Sequence, residues 1–487
     1  MEIKKLIKDI KVLEFVNFKE DTFKLDIFNL CDNSKDLKKL KNSAFICVQG
    51  LNFDSHNLVS SLQNNGVKFF ICSKKIETNL PYIIVENTRE VLGELASNFY
   101  ESPQKSFKLV SVIGTNGKTS TTYFIKALLN QLNIPCGIIG TSVVFIKNKK
   151  YAETLTTPDP LLLYSIFSKM KKAGCKVVVM EISAHAIKLN KVNNLVSDIT
   201  IFTNFSQDHL DFFKTMENYK LTKFSYFNEF NTKKALINLD DSAGKELYLK
   251  IKDKICSKTY GINGKYDIFA KNIKYSLLNS TFLLNLSNKK YNINTKTIGN
   301  FNVYNILSSV LCLTELGYSF DVENCVNKLT NVSGRFNIFK LKNNRFIIID
   351  YAHTPESLKL ILQNTKNLSN LKLIAVFGCP GNRDEEKREL MGQIAYNYCE
   401  KIYITADNPK YENPLIICNE ILRGAKEKGE IIIQREKAIK KAIKNLKENE
   451  VLLILGKATE TYQDYNNLHI KYNDYEVLTK CIKNKKN

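Results

Sequence analysis

The sequence has no apolar run long enough to cross a bilayer, and its twelve cysteines form no Cys-x-x-Cys pair and no local cluster with histidine. The first absence excludes a membrane-spanning helix. The second argues against a zinc site and indicates buried, reduced thiols in a cytoplasmic protein. No Gly-x-Gly-x-x-Gly fingerprint follows a predicted strand, so NAD is not indicated.

Arginine is also scarce: seven occur among the 71 basic residues of a chain with a formal net charge of +22. Such a charge is typical of proteins that bind nucleic acid. The lysines, however, are spread along the whole chain and are not gathered with aromatic residues. We therefore expect no nucleic-acid partner. Arg335, Arg383 and Arg388 fall inside the motifs described below, where a planar bidentate donor is useful.

One stretch organises the rest of the chain. Leu109–Ile113 is an apolar, β-branched run that is typical of a buried strand, and it ends in a glycine loop. A helix is predicted to follow the loop and to run to about Leu132. Gly114 and Gly117 leave backbone N–H groups open to an anion, and the helix N-terminus adds a partial positive charge. This arrangement indicates a phosphate-binding loop and not an ordinary turn.

The side chains of this loop support the same interpretation. Lys118 can reach terminal phosphates, and the hydroxyl of Thr119 can hold Mg²⁺. The strict eight-residue pattern asks for glycine at position 112, where valine stands. The loop is therefore a shorter variant of the P-loop.

The length of 487 residues allows about three domains. We predict an α/β fold in which residues 1–106 form the first domain. Residues 107–334 form a second domain around a P-loop-type mononucleotide-binding sheet, and residues 335–487 form a Rossmann-like third domain. Met1–Val16 is predicted to be a short amphipathic helix and not a signal peptide.

Polar residues follow further buried strands of the second domain. The strand at 176–180 leads to Glu181, and the strand at 198–203 leads to His209. Ligands bind at the carboxyl ends of the strands in an open parallel sheet, so both side chains are expected to face the phosphates. A carboxylate and an imidazole there suit a second metal ion. Lys223 has no such signal, because it is one lysine of many on a predicted helix.

The third domain repeats one arrangement four times, a strand that ends in a polar loop. The loops begin at Asp350, Gly378, Asp407 and Gly456. Four such loops at one sheet edge indicate a binding site. Ahead of this domain, Asn300 opens a predicted helix and could contact a nucleotide base or cap the helix.

In combination, these motifs resemble those of the Mur ligases across all three domains. The motifs of the wider Mur and folylpolyglutamate ligase superfamily are Gly114–Thr119, Asp208–Asp211 and Tyr351–Pro355. The motifs similar to the MurE type, which adds the third amino acid of the peptidoglycan stem, are Thr156–Asp159, Met180–Ser183 and Asp407–Lys410. The resemblance implies an ATP-dependent acid–amino-acid ligase that uses ATP and Mg²⁺.

The resemblance also assigns the nucleotide and metal ligands. The phosphate loop consists of Gly114, Thr115, Asn116, Gly117, Lys118, Thr119 and Ser120, and further ATP contacts are assigned to Asn300, Arg335 and Asp350. One Mg²⁺ is assigned to Thr119 and Glu181. The second is assigned to His209 and a carbamylated Lys223, because carbamylation turns an ammonium into an anionic oxygen ligand. Lys118, His209 and Lys223 are the implied catalytic residues.

Two substrates are implied. A UDP-N-acetylmuramoyl-dipeptide is assigned to the first domain and to Ser34, Thr156, Thr157, Ser183 and Lys191. A diamino acid is assigned to Arg388, Asp407, Asn408, Lys410, Gly456 and Glu460. The implied reaction converts the dipeptide carboxylate into an acyl phosphate, which the amino acid then attacks. We expect the protein to act as a monomer.

Several residues depart from the family pattern. Lys410 stands where diaminopimelate-adding enzymes have arginine, and lysine keeps the charge but lacks the two-pronged grip. A substrate with a distal carboxylate is still expected in preference to L-lysine, and meso-diaminopimelate is expected first. Its analogue lanthionine and, without that carboxylate, L-lysine are the alternatives. Ala458–Thr459 replaces a Gly-His pair, while Leu189 and Lys191 replace a glutamine and an arginine.

Two other functions are alternatives. Another ligase of the superfamily, such as MurF, MurD or folylpolyglutamate synthase, is disfavoured by the segments Thr156–Asp159 and Asp407–Lys410. A non-catalytic ATP-binding scaffold would have no need for Glu181, His209 and Lys223 together.

Overall fold

The computed structural model describes residues 1–50, 53–141, 143–151, 155–382 and 384–483, without the side chains of residues 37, 211 and 483. The chain forms two compact units. Unit 1 comprises residues 1–269 and 304–320, and unit 2 comprises residues 270–303 and 321–487. Within the described part, every helix is too short or too polar to cross a bilayer.

Residues 1–106 contribute a five-stranded sheet to unit 1. Its elements are α1 (Ile3–Leu6), β1 (Glu14–Val16), β2 (Asn29–Cys31), α2 (Leu37–Leu40), β3 (Ser43–Ile46), α3 (Val59–Asn64), β4 (Val67–Cys72), β5 (Tyr82–Ile84) and α4 (Thr88–Phe99). The strand order is β1-β5-β4-β3-β2, and only β1 is antiparallel to its neighbour.

The N-terminal helix is shorter than predicted. It ends at Leu6, and Asp9 takes a φ of 62°, which breaks the helical path. Glu14–Val16 pair instead with β5 as an edge strand. Pairing with β5 therefore outweighs the helical periodicity of this segment.

The phosphate loop lies on the second sheet of unit 1. Its elements are β6 (Lys108–Ile113), α5 (Lys118–Gln131), β7 (Cys136–Gly140), β8 (Val143–Ile146), β9 (Lys149–Tyr151), α6 (Pro160–Lys172), β10 (Val177–Glu181), α7 (Ala184–Lys188), β11 (Ile199–Phe202), α8 (Leu210–Phe213), α9 (Met216–Phe224), β12 (Lys234–Asn238), α10 (Ser242–Ile251) and β13 (Cys256–Gly261). The strand order is β13-β12-β11-β6-β10-β7-β8-β9.

Strand β6 lies between β10 and β11 and is parallel to both. Its residues from Leu109 to Ile113 are buried, as are all residues of β10 and β11. Strands that helices cover on both faces need such continuous apolar runs. The loops that follow these three strands therefore lie at one edge of the sheet.

Two elements contain residues of both units, β14 (Ile268–Tyr275), which pairs with β13 through Ile268 and Phe269, and α11. The elements from β14 onward are β15 (Ser280–Leu286), β16 (Lys289–Thr295), α11 (Asn300–Glu315), α12 (Val322–Asn327), β17 (Asn337–Lys340), β18 (Phe346–Asp350), α13 (Pro355–Leu368), β19 (Lys372–Phe377), α14 (Glu386–Tyr398), β20 (Cys399–Ile404), α15 (Pro414–Ala425), β21 (Gly429–Ile431), α16 (Arg435–Asn445), β22 (Glu450–Leu455), β23 (Tyr462–Tyr465), β24 (Leu468–Lys471) and α17 (Asp474–Lys483).

Unit 2 is built around a sheet of strand order β17-β18-β22-β19-β20-β21. All neighbours except β17 and β18 are parallel. The four strands predicted to end in polar loops are β18, β19, β20 and β22, which are adjacent in this sheet. The α/β prediction is confirmed, while the division into three domains at 106 and 334 stays a prediction.

A buried ion pair connects two helices of unit 2 with the end of β22. Arg435, the first residue of α16, donates from Nε and one Nη to the two carboxylate oxygens of Asp474 at 2.9 and 2.8 Å. The same Nη donates to the carbonyl of Leu455 at 2.8 Å. Both charged side chains are fully buried. Loss of one partner would leave the other charge buried without compensation.

We expect Asp474→Asn to lower the free energy of unfolding of unit 2 by about 3–5 kcal/mol, because the Arg435 charge would stay buried. Urea titration followed by hydrogen exchange in α16 and α17 measures the effect. The matched control is Glu436→Gln, which removes an exposed ion pair with Lys440 of the same helix and should cost less than about 1 kcal/mol. Equal effects of the two substitutions would contradict the assignment.

Candidate active site

Two glycines shape the phosphate loop between β6 and α5. Gly114 and Gly117 have φ values of 155° and 86°. The value at Gly117 lies in the left-handed region, which strongly favours glycine. A Cβ at Gly114 would overlap the hydroxyl of Thr203, and one at Gly117 would lie 2.6 Å from the amide oxygen of Asn305. Helix α5 begins directly at Lys118. The loop therefore leads directly into a helix N-terminus, whose backbone N–H groups attract anions.

The loop after β11 holds the phosphate loop in place. The backbone N–H of Thr115 donates to the carbonyl of Asn204 at 2.9 Å. The N–H of Asn116 donates to the Asn204 side-chain oxygen at 2.9 Å, and the Asn204 amide donates back to the Asn116 carbonyl at 3.0 Å. Lys118 donates to the carbonyls of Gly114 and Thr115 at 3.0 and 2.8 Å. These bonds preorganise the loop.

Lys223 lies against the phosphate loop although it is distant in sequence. Its Nζ donates to the Thr115 hydroxyl at 2.8 Å and lies 4.1 Å from the centre of the Tyr219 ring. The side chain is almost completely buried. Burial, followed by the nearby charge of Lys118, holds the pKa of Lys223 well below its usual range. This shift favours the neutral amine over the ammonium more than at an exposed lysine.

His209 belongs to a group of rings that includes the same tyrosine. The His209 and His185 rings meet edge to face with centres 4.7 Å apart, and the Tyr219 ring is 6.1 Å from His209. His209 takes a φ of 54° just before α8. The side chain of Asp211, in the same motif, lies outside the described residues. Tyr219 thus contacts both His209 and Lys223.

Glu181 is a buried carboxylate at the end of β10. The Thr141 backbone N–H donates to one of its oxygens at 3.2 Å, and the Thr141 hydroxyl donates to the other at 3.3 Å. A Cβ at Gly140 would overlap this carboxylate, so the neighbouring strand must carry glycine there. Thr119 is half-buried in the first turn of α5.

The threonines and serine assigned to the dipeptide substrate share a network with Glu181. The hydroxyls of Thr141 and Thr156 lie 3.0 Å apart. The Thr157 hydroxyl donates to the Glu181 carbonyl at 3.0 Å and accepts from the backbone N–H of Ser183 at 3.0 Å. The structure therefore brings Thr156, Thr157 and Ser183 together beside the β10 carboxylate.

Lys191 lines a cavity of about 190 Å³ in unit 1 and forms a 2.7 Å ion pair with Asp159. The cavity is lined by Asp32, Val48, Arg89, Leu92, Asp159, Pro160, Leu189, Asn190 and Lys191. Burial, followed by the charge of Asp159, raises the pKa of Asp32. Ser34 is half-buried and lies outside this lining.

Four of the six residues assigned to the diamino acid lie together in unit 2. Lys457, which is fully buried, donates to the Asn408 amide oxygen at 2.8 Å and to a Glu460 carboxylate oxygen at 2.6 Å. The Asn408 amide donates to the same Glu460 oxygen at 3.0 Å. Burial raises the pKa of Asp407, and the charge of Lys457, 3.6 Å away, partly offsets that effect. A Cβ at Gly456 would lie 2.9 Å from the Asp407 carboxylate.

Arg388 is bound to carboxylates within unit 2. Its guanidinium is buried and forms ion pairs of 2.8 Å with Glu412 and 2.7 Å with Glu420. Its Nε is buried without a hydrogen-bond partner among the described residues. Lys410 takes a φ of 52°, and its backbone N–H donates to the Asp464 carbonyl at 3.0 Å. Arg383 lies outside the described residues.

The three further ATP-assigned residues also belong to unit 2. The Tyr275 hydroxyl donates to the side-chain oxygen of Asn300 at 2.7 Å. The guanidinium of Arg335 lies 4.9 Å from the centre of the Tyr351 ring. Burial raises the pKa of Asp350, whereas the Arg335 charge acts in the opposite direction.

Several residues of these networks had no predicted role. Thr141 contacts Glu181, and Tyr219 contacts Lys223. Neither residue belongs to a motif that would have indicated this role. Arg89 and Leu92 line the cavity from α4, a helix to which the sequence assigned no role. Lys457 could have been found, because it follows Gly456 directly after a buried strand.

Comparison with known proteins gives a consistent answer. Two family models match the chain, the Mur ligase middle domain over residues 112–313 and the Mur ligase glutamate ligase domain over residues 334–458. A UDP-N-acetylmuramoyl-L-alanyl-D-glutamate–2,6-diaminopimelate ligase from Aquifex aeolicus is 37% identical over 453 residues, which is 92% of each chain. An enzyme of the same name from Clostridium acetobutylicum is 35% identical over 99% of each chain.

A solved structure of a ligase of that name has the same fold. It matches with a TM-score of 0.72 and 24% sequence identity, over 100% of this chain and 99% of the other. The identity and coverage of the sequence relatives show that the chain belongs to the Mur ligase family.

Proposed function

We propose that the chain is an ATP-dependent amide ligase that joins meso-2,6-diaminopimelate to UDP-N-acetylmuramoyl-L-alanyl-D-glutamate in peptidoglycan precursor synthesis. The dipeptide carboxylate attacks the γ-phosphorus of ATP, which gives an acyl phosphate and ADP. The α-amine of the amino acid then displaces phosphate and forms the amide. The protein contributes mainly by positioning the reactants and by stabilising charge. It acts as a monomer in the cytoplasm.

The observation that carries this proposal is the position of Lys223 against the phosphate loop. A lysine from α9 is buried at 2.8 Å from the Thr115 hydroxyl. An ordinary nucleotide loop has no need for a second buried amine beside Lys118. An amine that becomes an anionic metal ligand explains why it is there.

The phosphates of ATP are bound by Gly114–Ser120, where Lys118 and the N-terminus of α5 offset negative charge. Asn300, Arg335 and Asp350 contact the adenosine and the phosphates. In the three-domain division, residues 1–106 bind the UDP part of the substrate, residues 107–334 bind ATP, and residues 335–487 bind the amino acid.

Two magnesium ions would complete the nucleotide site. Thr119 and Glu181 would hold the first, and His209 and carbamylated Lys223 would hold the second. The hydroxyl, carboxylate and carbamate offer the oxygen ligands that Mg²⁺ prefers, and the His209 imidazole would add one nitrogen ligand. The hydrogen bonds that Glu181 accepts from Thr141 are long, at 3.2 and 3.3 Å, which suits a carboxylate that also holds a cation. The ions would supply positive charge to the transferring phosphoryl group.

Two sites hold the reactants of the amide step. Ser34, Thr156, Thr157, Ser183 and Lys191 bind the UDP-N-acetylmuramoyl-dipeptide. Arg388, Asp407, Asn408, Lys410, Gly456 and Glu460 bind the diamino acid. The buried Nε of Arg388 and the charge of Lys410 suit a substrate with carboxylates at both ends. Lanthionine shares that chemistry, whereas the distal ammonium of L-lysine would meet a like charge.

Lys118→Ala and His209→Ala should each reduce phosphate release by at least about 10³-fold, because charge on the transferring group would lose a partner. The assay contains ATP, Mg²⁺, the UDP-muramoyl-dipeptide and meso-diaminopimelate, and omission of either substrate should stop release. The matched control is Lys126→Ala on the same helix, where the ammonium contacts Asn148. Near-normal turnover in either test variant would refute the assigned roles.

Lys223 should take up CO₂ at neutral pH. Its lowered pKa leaves a neutral amine that attacks CO₂, forms an N–C bond and loses a proton, whereas hydrogen bonds to Glu246 and Glu217 raise the pKa of Lys220 on the same helix. With ¹³CO₂, a carbamate ¹³C resonance should be seen in the wild type and in Lys220→Ala but not in Lys223→Ala. Activity should fall after CO₂ removal and return with bicarbonate. A carbamate signal retained in Lys223→Ala would exclude this site.

Lys410 should select the amino acid by its distal carboxylate. We expect Lys410→Ala to raise KM for meso-diaminopimelate about 10-fold, since one charge-assisted hydrogen bond is lost, while Lys410→Arg retains activity. Lys401→Ala, which removes an ion pair with Glu430, is the control. Phosphate release with meso-diaminopimelate, lanthionine and L-lysine in parallel gives the preference, and a preference for L-lysine would overturn the assignment of Lys410.

A further inference from the structure

Two cysteines and one histidine meet in the five-stranded sheet of unit 1, apart from the ligase site. Cys47 directly follows β3, Cys72 ends β4, and His56 lies in the short 3-10 helix Ser55–Leu58. One ligand atom of each residue, the sulfur of both cysteines and a ring nitrogen of His56, lies within 4.8 Å of the others. All three side chains are buried. The pairing of β3 with β4 assembles this cluster from residues that are separated in sequence.

The imidazole is held in the way typical of a metal ligand. A carboxylate oxygen of Asp54 lies 2.5 Å from Nδ1 of His56, and Lys74 donates to the other oxygen at 2.7 Å. Because the backbone N–H of Ser73 donates to Nε2, that nitrogen carries the lone pair, and Nδ1 carries the proton that the Asp54 carboxylate accepts. Metal-binding histidines are commonly oriented by such a carboxylate.

A metal ion at Nε2 would compete with one hydrogen bond that this nitrogen already accepts. The backbone N–H of Ser73 donates to it at 3.1 Å, and the Ser73 hydroxyl lies 3.4 Å away. A metal at Nε2 would replace one neutral hydrogen bond, whose net contribution is small beside the binding free energy of a structural zinc ion. The Ser73 hydroxyl is close enough to become a further ligand.

The charge of the donor set suits a divalent cation. Two thiolates and a neutral imidazole bring a net charge of −2, so the complex with Zn²⁺ would be neutral and could stay buried. The two cysteines share an apolar core with Phe45, Phe70 and Leu62.

We propose that Cys47, His56 and Cys72 form a zinc site, in which Ser73 Oγ or a water completes four-coordinate geometry. On binding, two S–H bonds break, two Zn–S bonds form, and the two protons pass to solvent, so no oxidant is needed. The ion connects the carboxyl ends of β3 and β4 with the 3-10 helix that carries His56. This site is independent of the proposed ligase reaction.

Cobalt is the probe that separates this site from the magnesium ligands. The reduced full-length protein, saturated with Mg²⁺, is titrated with Co²⁺ and followed by absorption. We expect one equivalent to produce a thiolate-to-cobalt charge-transfer band, which oxygen and nitrogen ligands cannot give, and Zn²⁺ to abolish it. Cys47→Ser and Cys72→Ser should lose the band. Asp54→Asn, which keeps all three ligands, should weaken Co²⁺ binding about 10- to 100-fold.

Cys31→Ser is the matched control, because Cys31 is a buried thiol of the same sheet that donates to the Lys39 carbonyl. It should retain the band at full intensity. Circular dichroism confirms the fold of each variant. The absence of a charge-transfer band in the wild type, or a band that persists in both Cys47→Ser and Cys72→Ser, would overturn the proposal.

Discussion

The parallel pairing of β6 with β10 on one side and β11 on the other is the constraint on which the nucleotide site depends. Because all three strands run in one direction, their carboxyl ends deliver the phosphate loop, Glu181 and the Asn204 loop to the same edge. The two loops then bind each other through backbone and amide hydrogen bonds. The geometry offered to a nucleotide is therefore set by the sheet and does not have to be organised by the ligand.

Burial changes the chemistry of identical side chains. Lys220 and Lys223 lie one turn apart on α9, and yet the surroundings raise the pKa of the first and lower that of the second. Unit 2 uses the same effect on carboxylates, because burial raises the pKa values of Asp350 and Asp407 while neighbouring cations counter it. Charge in both places is thus controlled by desolvation together with one close partner.

The sequence was most informative where chemistry follows directly from a strand. A buried apolar run indicates a strand, and the end of the run indicates which residues lie at the edge of the sheet. This allowed us to place the loop at Gly114, the carboxylate of Glu181 and the four polar loops of unit 2. Lys223 was visible only through the family resemblance. The contacts of Thr141 and Tyr219, and the meeting of Cys47 with Cys72, depend on which strands and helices become neighbours. No local pattern encodes that pairing, so these contacts could not be predicted.

The pairing of the edge strand β1 with β5 also explains the clearest error in the predicted fold. Met1–Val16 has helical spacing, but hydrogen bonds to β5 give Glu14–Val16 a more favourable partner than a further helical turn. Periodicity reports which face is apolar, and tertiary pairing decides the backbone conformation.

Arginine is scarce in this chain, and the positions at which it is buried show what lysine cannot replace. Among the arginines that the structure describes, two are interior: Arg388 binds Glu412 and Glu420, and Arg435 binds both oxygens of Asp474 and a carbonyl. A lysine has a single ammonium and cannot reproduce a planar fork that reaches two acceptors at fixed angles. At an exposed position a lysine supplies the same charge, whereas at these two positions it would leave an acceptor without a donor. These interior arginines thus mark the places where the shape of a cation matters more than its charge.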